Sequence, residues 1–219
     1  MTFAAPELSS RPSRRAALIG GLGLTAFGSG AWARRAPVIT MLGDSITAGL
    51  GLPAEAALPA QLQAALARLG VAATVRGAGV SGDTTAGGLA RADFSVQSDT
   101  DLCIVALGGN DLLQGLPPRT MRANLEGILR RLKARHIRVL LCGLKAPSQL
   151  NAGYARAFNA VFLEVAQSEG AAFYPDLLAG VALTPGLNQR DGLHPNARGV
   201  KIIAARLAPI VIRGLKARA

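Results

Sequence analysis

One carboxylate and one imidazole lie close together near the end of the chain. His194 follows Asp191 by three residues in the segment DGLHPN. A carboxylate at that spacing can hold one imidazole nitrogen, which leaves the other nitrogen free to take a proton from a hydroxyl. The hydroxyl that we single out is Ser45 in GDSITAG, where Gly43 permits a tight turn that would present it. These side chains could carry out nucleophilic acyl transfer.

Acyl transfer also requires hydrogen-bond donors directed at the oxyanion of the tetrahedral intermediate. Three donors are suitable in kind: the backbone N–H of Ser45, the backbone N–H of Gly82 in GVSGDT, and the side-chain amide of Asn110 in GGND. A glycine at position 82 would let a substrate approach the backbone closely. We predict that these groups form an oxyanion hole beside Ser45.

Three aspartates, Asp44, Asp83 and Asp111, each stand next to one of these residues. Three carboxylates at one edge could bind a divalent metal. We favour a structural role, in which each accepts N–H groups of a loop or a helix start. Zinc is not indicated, because the motifs contain no set of histidine and cysteine ligands.

Short apolar runs alternate with helical patterns from residue 37 onward. Strands are predicted over 37–42, 71–76, 102–107, 137–143 and 171–175, and helices over 59–69, 84–92, 118–135, 154–170 and 195–215. This alternation indicates an α/β fold with a five-stranded parallel sheet covered on both faces. Ligands bind such sheets beyond the carboxyl ends of the strands. Three of the four motifs follow strands and the fourth precedes the last helix, so we expect their residues on one rim.

The four motifs GDSITAG, GVSGDTTAGGLAR, LGGND and DGLHPN, in this order, resemble those of the SGNH (GDSL-type) hydrolases. The resemblance is greatest to the branch of bacterial thioesterase I, lysophospholipase L1 and arylesterase, and it extends from about residue 37 to the C-terminus. It implies Ser45 as nucleophile, Asp191 and His194 as the remaining catalytic pair, and Gly82 and Asn110 as oxyanion donors. It also implies a flavodoxin-like three-layer sandwich of strand order 2-1-3-4-5, with no metal or organic cofactor.

The segment GAGVSG (77–82) also fits the dinucleotide-binding pattern G-x-G-x-x-G. That pattern ordinarily opens the first β-α unit, whereas this copy follows the second predicted strand. We therefore interpret it as a coincidence of small residues. Cys103 and Cys142 fall in two predicted strands, about four residues out of step. We predict two buried free thiols rather than a disulfide.

The first 33 residues predict an export signal. Arg14 and Arg15 precede the apolar run AALIGGLGLTAFG, and Ala31-Trp32-Ala33 resembles a cleavage site. The paired arginines resemble a twin-arginine signal, so we expect residues 34–219 to form the hydrolase domain in the periplasm or outside the cell. An uncleaved N-terminal anchor is the alternative. The apolar run is too short to span a bilayer comfortably.

The predicted substrate is a small-molecule carboxylic ester or thioester, with a lipid such as a lysophospholipid as a further candidate. A carbohydrate O-deacetylase and a non-catalytic periplasmic ligand-binding protein of the same fold are the alternatives. The formal net charge is +11. Aromatic residues make up only 4% of the chain, which gives little support for nucleic-acid binding. The acyl-chain preference and the oligomeric state stay open.

Overall fold

The computed structural model describes residues 35–147 and 149–216. The predicted signal segment 1–33 lies outside the described residues. Within them, five strands form one sheet: β1 (Val38–Gly43), β2 (Thr74–Gly79), β3 (Leu102–Ala106), β4 (Arg138–Cys142) and β5 (Ala172–Tyr174). The α-helices are α1 (Ser45–Ala48), α2 (Leu58–Arg68), α3 (Thr85–Ser95), α4 (Gly109–Leu113), α5 (Pro118–Ala134), α6 (Ala152–Ser168) and α7 (Ala197–Lys216). None of these helices is long and apolar enough to cross a membrane.

The sheet is parallel throughout and has the order β2-β1-β3-β4-β5. This confirms the predicted α/β fold and strand order. The central strands β1 and β3 are buried along their whole length, as expected of strands covered by helices on both faces. Helices α2 and α7 pack against each other, while α3, α5 and α6 pack in a row. The three layers leave the carboxyl ends of the strands open to receive loops.

Strand β2 lies three residues later than predicted. It covers Thr74–Gly79 rather than 71–76, because its ladder with β1 pairs Val38 with Thr74 and continues to the pair of Gly43 with Gly79. Glycine is a poor strand former, which hid this end of the strand from the sequence pattern. The first half of GAGVSG is therefore strand, and only its second half leaves the sheet toward the candidate site.

Both cysteines are buried free thiols, as predicted. In the ladder between β3 and β4, Cys103 pairs with Val139, so Cys142 lies three residues further along rather than the expected four. That offset is about 10 Å along the strand, beyond the Cα separation of a disulfide. Burial raises the pKa of Cys103 to about 12.

Candidate active site

Ser45 is the first residue of α1 and comes two residues after the end of β1. Asp44 caps this short helix, because its Oδ1 accepts the Ile46 N–H at 3.0 Å. Gly43 is not among the residues with a positive φ, so what matters at this position is the small size of glycine rather than a left-handed backbone. A Cβ there would lie 2.1 Å from Thr47 Oγ1. The glycine thus lets α1 pack closely on the end of β1, which sets the position of Ser45.

A continuous hydrogen-bonded chain joins Ser45, His194 and Asp191. Ser45 Oγ lies 2.8 Å from His194 Nε2, and His194 Nδ1 lies 2.6 Å from Asp191 Oδ2. With its proton on Nδ1, the imidazole can accept the serine hydroxyl proton at Nε2. The hydrogen bond from the His194 side chain, followed by the backbone N–H groups of His194 and Leu193, lowers the pKa of Asp191 to about 2. The structure therefore brings together the three side chains that the sequence singled out.

Hydrogen bonds of Asp191 and Gln189 hold the loop that carries His194 in place. Asp191 Oδ1 accepts the backbone N–H groups of Leu193 at 2.9 Å and His194 at 3.0 Å. Gln189 donates its backbone N–H to the His194 carbonyl and its side-chain amide to the Leu50 carbonyl, both at 2.8 Å. Gln189 therefore ties this loop to the segment that follows α1. Sequence analysis missed it, because a side-chain hydrogen bond to a carbonyl 139 residues away leaves no local pattern.

The two other predicted oxyanion donors reach the same place from the neighbouring strands. Gly82 lies in the turn after β2 with a φ of +86°, a conformation that glycine adopts without strain. Asn110, on α4, donates one hydrogen of its amide to the Asp83 carbonyl at 2.8 Å. Its second amide hydrogen can serve a ligand. Gly82, Asn110 and Ser45 line one pocket.

Arg91, on α3, joins the strand ends beneath this pocket. Its guanidinium donates to the Ala78 and Gly43 carbonyls at 2.8 Å each, and to Asp83 Oδ2 at 2.6 Å. The side chain is only 18% exposed. One cation thus links the end of β1, the end of β2 and the residue after Gly82. Sequence analysis missed this role, because Arg91 fits the helical pattern of its segment without any sign of its contacts.

The three aspartates beside the site act as hydrogen-bond acceptors. Asp111 is buried and accepts both the backbone N–H of Thr85, at the start of α3, and its hydroxyl at 2.6 Å. Asp83 differs from the expectation, because its carboxylate pairs with Arg91 rather than with the N–H groups of a helix start. In the part of the chain that the structure describes, no three acidic, histidine or cysteine side chains are grouped to hold a metal ion.

The pocket above these residues is mainly apolar and has a volume of about 390 Å³, within the usual range of small-molecule sites. Ser45, Asn110 and His194 lie on one side of it. Most of the remaining lining side chains are aliphatic, and they are Ile46, Leu50, Leu112, Leu113, Leu144, Ala146, Pro147, Leu178, Ala182, Leu183 and Leu193. Such a pocket can hold an acyl chain while the polar groups on one side contact the carbonyl of the ester.

Asp44 has the ionisation of a buried acid. Only 4% of the residue is exposed. Burial raises the pKa of Asp44 to about 6, against the opposing effects of the Ile46 N–H and the charge of His194. The folded protein therefore retains a proton that the unfolded chain releases near its ordinary pKa of 3.8. The free energy of unfolding should fall as the pH rises from about 4 to about 6, and this loss should persist above pH 6.

Replacing Asp44 with Asn should remove this loss, because the amide cannot ionise and its oxygen can still accept the Ile46 N–H. We expect Asp44→Asn to be about 1–3 kcal/mol more stable than the wild type at pH 7.5 and nearly equal at pH 4. Denaturant unfolding of both proteins at the two pH values measures this difference. A stability difference that does not change with pH would contradict the buried-acid assignment.

Comparison with known proteins places this site in a family. Residues 41–202 match the GDSL-like Lipase/Acylhydrolase family. The esterase TesA of Pseudomonas aeruginosa is 38% identical over 161 residues, which cover 73% of this chain and 80% of that protein. The thioesterase 1/protease 1/lysophospholipase L1 of Escherichia coli K12 is 34% identical over 80% of this chain and 84% of that protein.

A solved structure agrees with these sequence matches. The crystal structure of AlinE4, an SGNH-hydrolase family esterase, is 44% identical, has a TM-score of 0.69, and covers 83% of this chain and 98% of that one. The family match spans most of the chain, and the relatives match over most of their own lengths. The chain therefore belongs to the GDSL-like lipase/acylhydrolase family, the SGNH hydrolases, and is an ester hydrolase.

Proposed function

We propose that the chain hydrolyses carboxylic esters through an acyl-enzyme on Ser45, with His194 as general base and Asp191 as the carboxylate that orients it. The observation that carries this proposal is the hydrogen-bonded chain from Ser45 Oγ through the imidazole to Asp191, with distances of 2.8 and 2.6 Å. Each link has the length of a good hydrogen bond, so the proton has a direct path from the nucleophile to the base.

The reaction has two steps. In the first, Ser45 Oγ attacks the ester carbonyl while His194 Nε2 takes its proton; the imidazolium then gives that proton to the leaving alcohol. In the second, His194 takes a proton from water as the water oxygen attacks the acyl carbonyl; the imidazolium then gives that proton to Ser45 Oγ as the acyl–oxygen bond breaks, which releases the acid and restores the free serine and the neutral histidine. Asp191 stays ionised throughout and stabilises the imidazolium. Its low pKa of about 2 supports this role.

The oxyanion of each tetrahedral intermediate would accept hydrogen bonds from the Ser45 and Gly82 backbone N–H groups and from the Asn110 amide. As the first residue of α1, Ser45 has an N–H without an acceptor inside its own helix. Asn110 is already oriented by its bond to the Asp83 carbonyl. Arg91 would act as a positioning residue, because it holds both Asp83 and the end of β1.

The aliphatic pocket favours an acyl chain over a sugar as the group bound beside Ser45. Its described lining includes no aromatic ring on which a sugar could stack, so an O-deacetylase activity gains no support. The relatives are named as an esterase and as a thioesterase and lysophospholipase. We extend this range to the chain as a proposal: esters of apolar acids, with thioesters and lysophospholipids as further substrates.

Ser45→Ala should abolish ester hydrolysis, because no other hydroxyl is bonded to His194 in the described structure. We expect residues 34–219 to hydrolyse p-nitrophenyl esters from acetate to palmitate, and the variant to lose at least about 10⁴-fold in kcat. Mass spectrometry after a brief reaction should find an acyl group on Ser45 in the wild type. Turnover that survives in the variant would refute the assignment of the nucleophile.

Arg91→Ala should lower kcat more than it raises KM, because it frees the Gly82 turn and the end of β1 without removing a group that touches the substrate. We expect a loss of about 10–100-fold in kcat. Arg76→Ala is the matched control, since it removes an exposed ion pair with Asp99 of the kind that adds little stability. Equal effects of the two substitutions would contradict the positioning role.

We also propose that residues 1–33 direct export to the periplasm through a twin-arginine signal. Changing both Arg14 and Arg15 to Lys should then retain the precursor in the cytoplasm. Mass spectrometry of the exported wild-type protein should find a new N-terminus at Arg34. An exported protein that keeps residues 1–33 would instead support an N-terminal anchor.

A further inference from the structure

Exposed leucines surround the mouth of the active-site pocket. Leu50, Leu113, Leu183 and Leu193 all line the pocket, yet 45–69% of their surface is exposed. They come from four separate segments, which follow α1, end α4, follow β5 and precede His194. Here these four residues are called the leucine rim. An exposed apolar group gathered at a binding site indicates an interaction surface, whereas single exposed leucines are ordinary.

Leu183 holds its exposed position at a conformational cost. Its φ of 56° lies in the left-handed region, which is unfavourable for a leucine by about 1–2 kcal/mol. It is also the most exposed member of the rim, at 69%. Strained residues of this kind cluster at ligand sites. A side chain that is both strained and exposed gains nothing for the folded monomer, which points to a contact made outside it.

The apolar surface continues from the rim into the pocket. Leu112 and Leu178 line the interior below it, and Ser45 lies on the same pocket wall. A dissolved short ester is smaller than the pocket, whose volume is about 390 Å³, and would leave most of the leucine rim uncovered. A partner that covers the rim and also delivers a substrate must therefore present apolar chains over a surface wider than one molecule. The surface of a lipid aggregate has this property.

The charges at the mouth fit an amphiphile with a phosphate in its head group. Lys145 lines the pocket and is exposed, and its ammonium group has no carboxylate within 4 Å among the described residues. Outside the catalytic group, one other charged residue of the pocket wall is not buried. This residue is Asp176, whose Oδ1 accepts the Leu178 N–H at 3.1 Å. An ammonium group at the edge of an apolar mouth can pair with a phosphate while the acyl chain enters the pocket.

We propose that the leucine rim docks the enzyme on the surface of micelles of a single-chain phospholipid and passes its acyl chain directly into the pocket. This rests on the proposed ester hydrolysis at Ser45. Docking on a micelle makes the rate depend on the aggregated substrate. Above the critical micelle concentration of the substrate, the rate of hydrolysis should therefore exceed the rate extrapolated from the saturation curve of the monomeric substrate.

The test compares palmitoyl-lysophosphatidylcholine above and below its critical micelle concentration, so that the acyl chain in the pocket is the same in both states, and p-nitrophenyl acetate reports the chemistry at Ser45. The measured quantity is the ratio of kcat/KM for the micellar substrate to kcat/KM for the monomeric substrate. The combined substitution Leu113→Ser and Leu183→Asn should lower this ratio at least about fivefold. The matched control is Phe94→Ser on α3, a side chain 85% exposed that does not line the pocket. It should leave the ratio unchanged.

Leu183→Asn alone serves as the second variant, because asparagine adopts a positive φ more readily than leucine. It should keep or raise Tm while lowering the ratio, which separates docking from folding. An unchanged ratio in both rim variants, or an equal fall in Phe94→Ser, would overturn the proposal.

Two other outcomes have separate meanings. A wild-type dimer in sedimentation that the rim substitutions dissociate, with the ratio unchanged, would assign the rim to a contact between copies and overturn the proposal. Failure of the wild type to hydrolyse p-nitrophenyl acetate would instead refute the proposed function. Hydrolysis of the acetate without any rise above the critical micelle concentration would refute only the docking.

Discussion

The site depends on three strand ends that lie level at one edge of the sheet. Gly43, the last residue of β1, pairs with Gly79 of β2 on one side and with Ala106 of β3 on the other. Because β1 is the middle strand of the three, the loop that carries Ser45 lies between the loops that carry Gly82 and Asn110. The order β2-β1-β3 therefore determines that a serine after the first strand meets donors from both neighbours.

The histidine arrives by a different physical route. It comes from the irregular segment before α7, and no strand ladder sets its height. Instead, the Asp191 carboxylate binds the loop backbone and the imidazole at once, and Gln189 attaches the loop to the Leu50 carbonyl. Sheet hydrogen bonds position Ser45, Gly82 and Asn110, whereas side-chain hydrogen bonds to backbone position His194. Arg91 strengthens the first arrangement, because its guanidinium binds the Gly43 carbonyl of β1 and the Ala78 carbonyl of β2.

What the sequence could predict follows the same division. Buried strands such as β3 are continuous apolar runs, and the motifs that follow such strands predicted that Ser45, Gly82 and Asn110 share one edge of the sheet. The motif before the last helix predicted the same place for His194. The prediction placed strand β2 three residues too early, because hydrogen bonding to β1 rather than local propensity determines that its glycine-rich end is strand. Arg91 and Gln189 could not be recognised, since their contacts join residues distant in sequence. The exposure of Leu113 and Leu183 depends on loop conformations that no periodic pattern encodes.

Two unfavourable features of the molecule lie where the reaction would occur. Asp44 is an acid buried beside Ser45 with its pKa raised to about 6, and Leu183 has a strained backbone at the pocket mouth. A protein selected only for stability would replace the first with a neutral side chain and the second with glycine or asparagine. Perturbed acids and strained residues are typical of functional sites. Their position around one pocket, together with the exposed leucines, indicates that this edge of the sheet is shaped by what it binds rather than by folding alone.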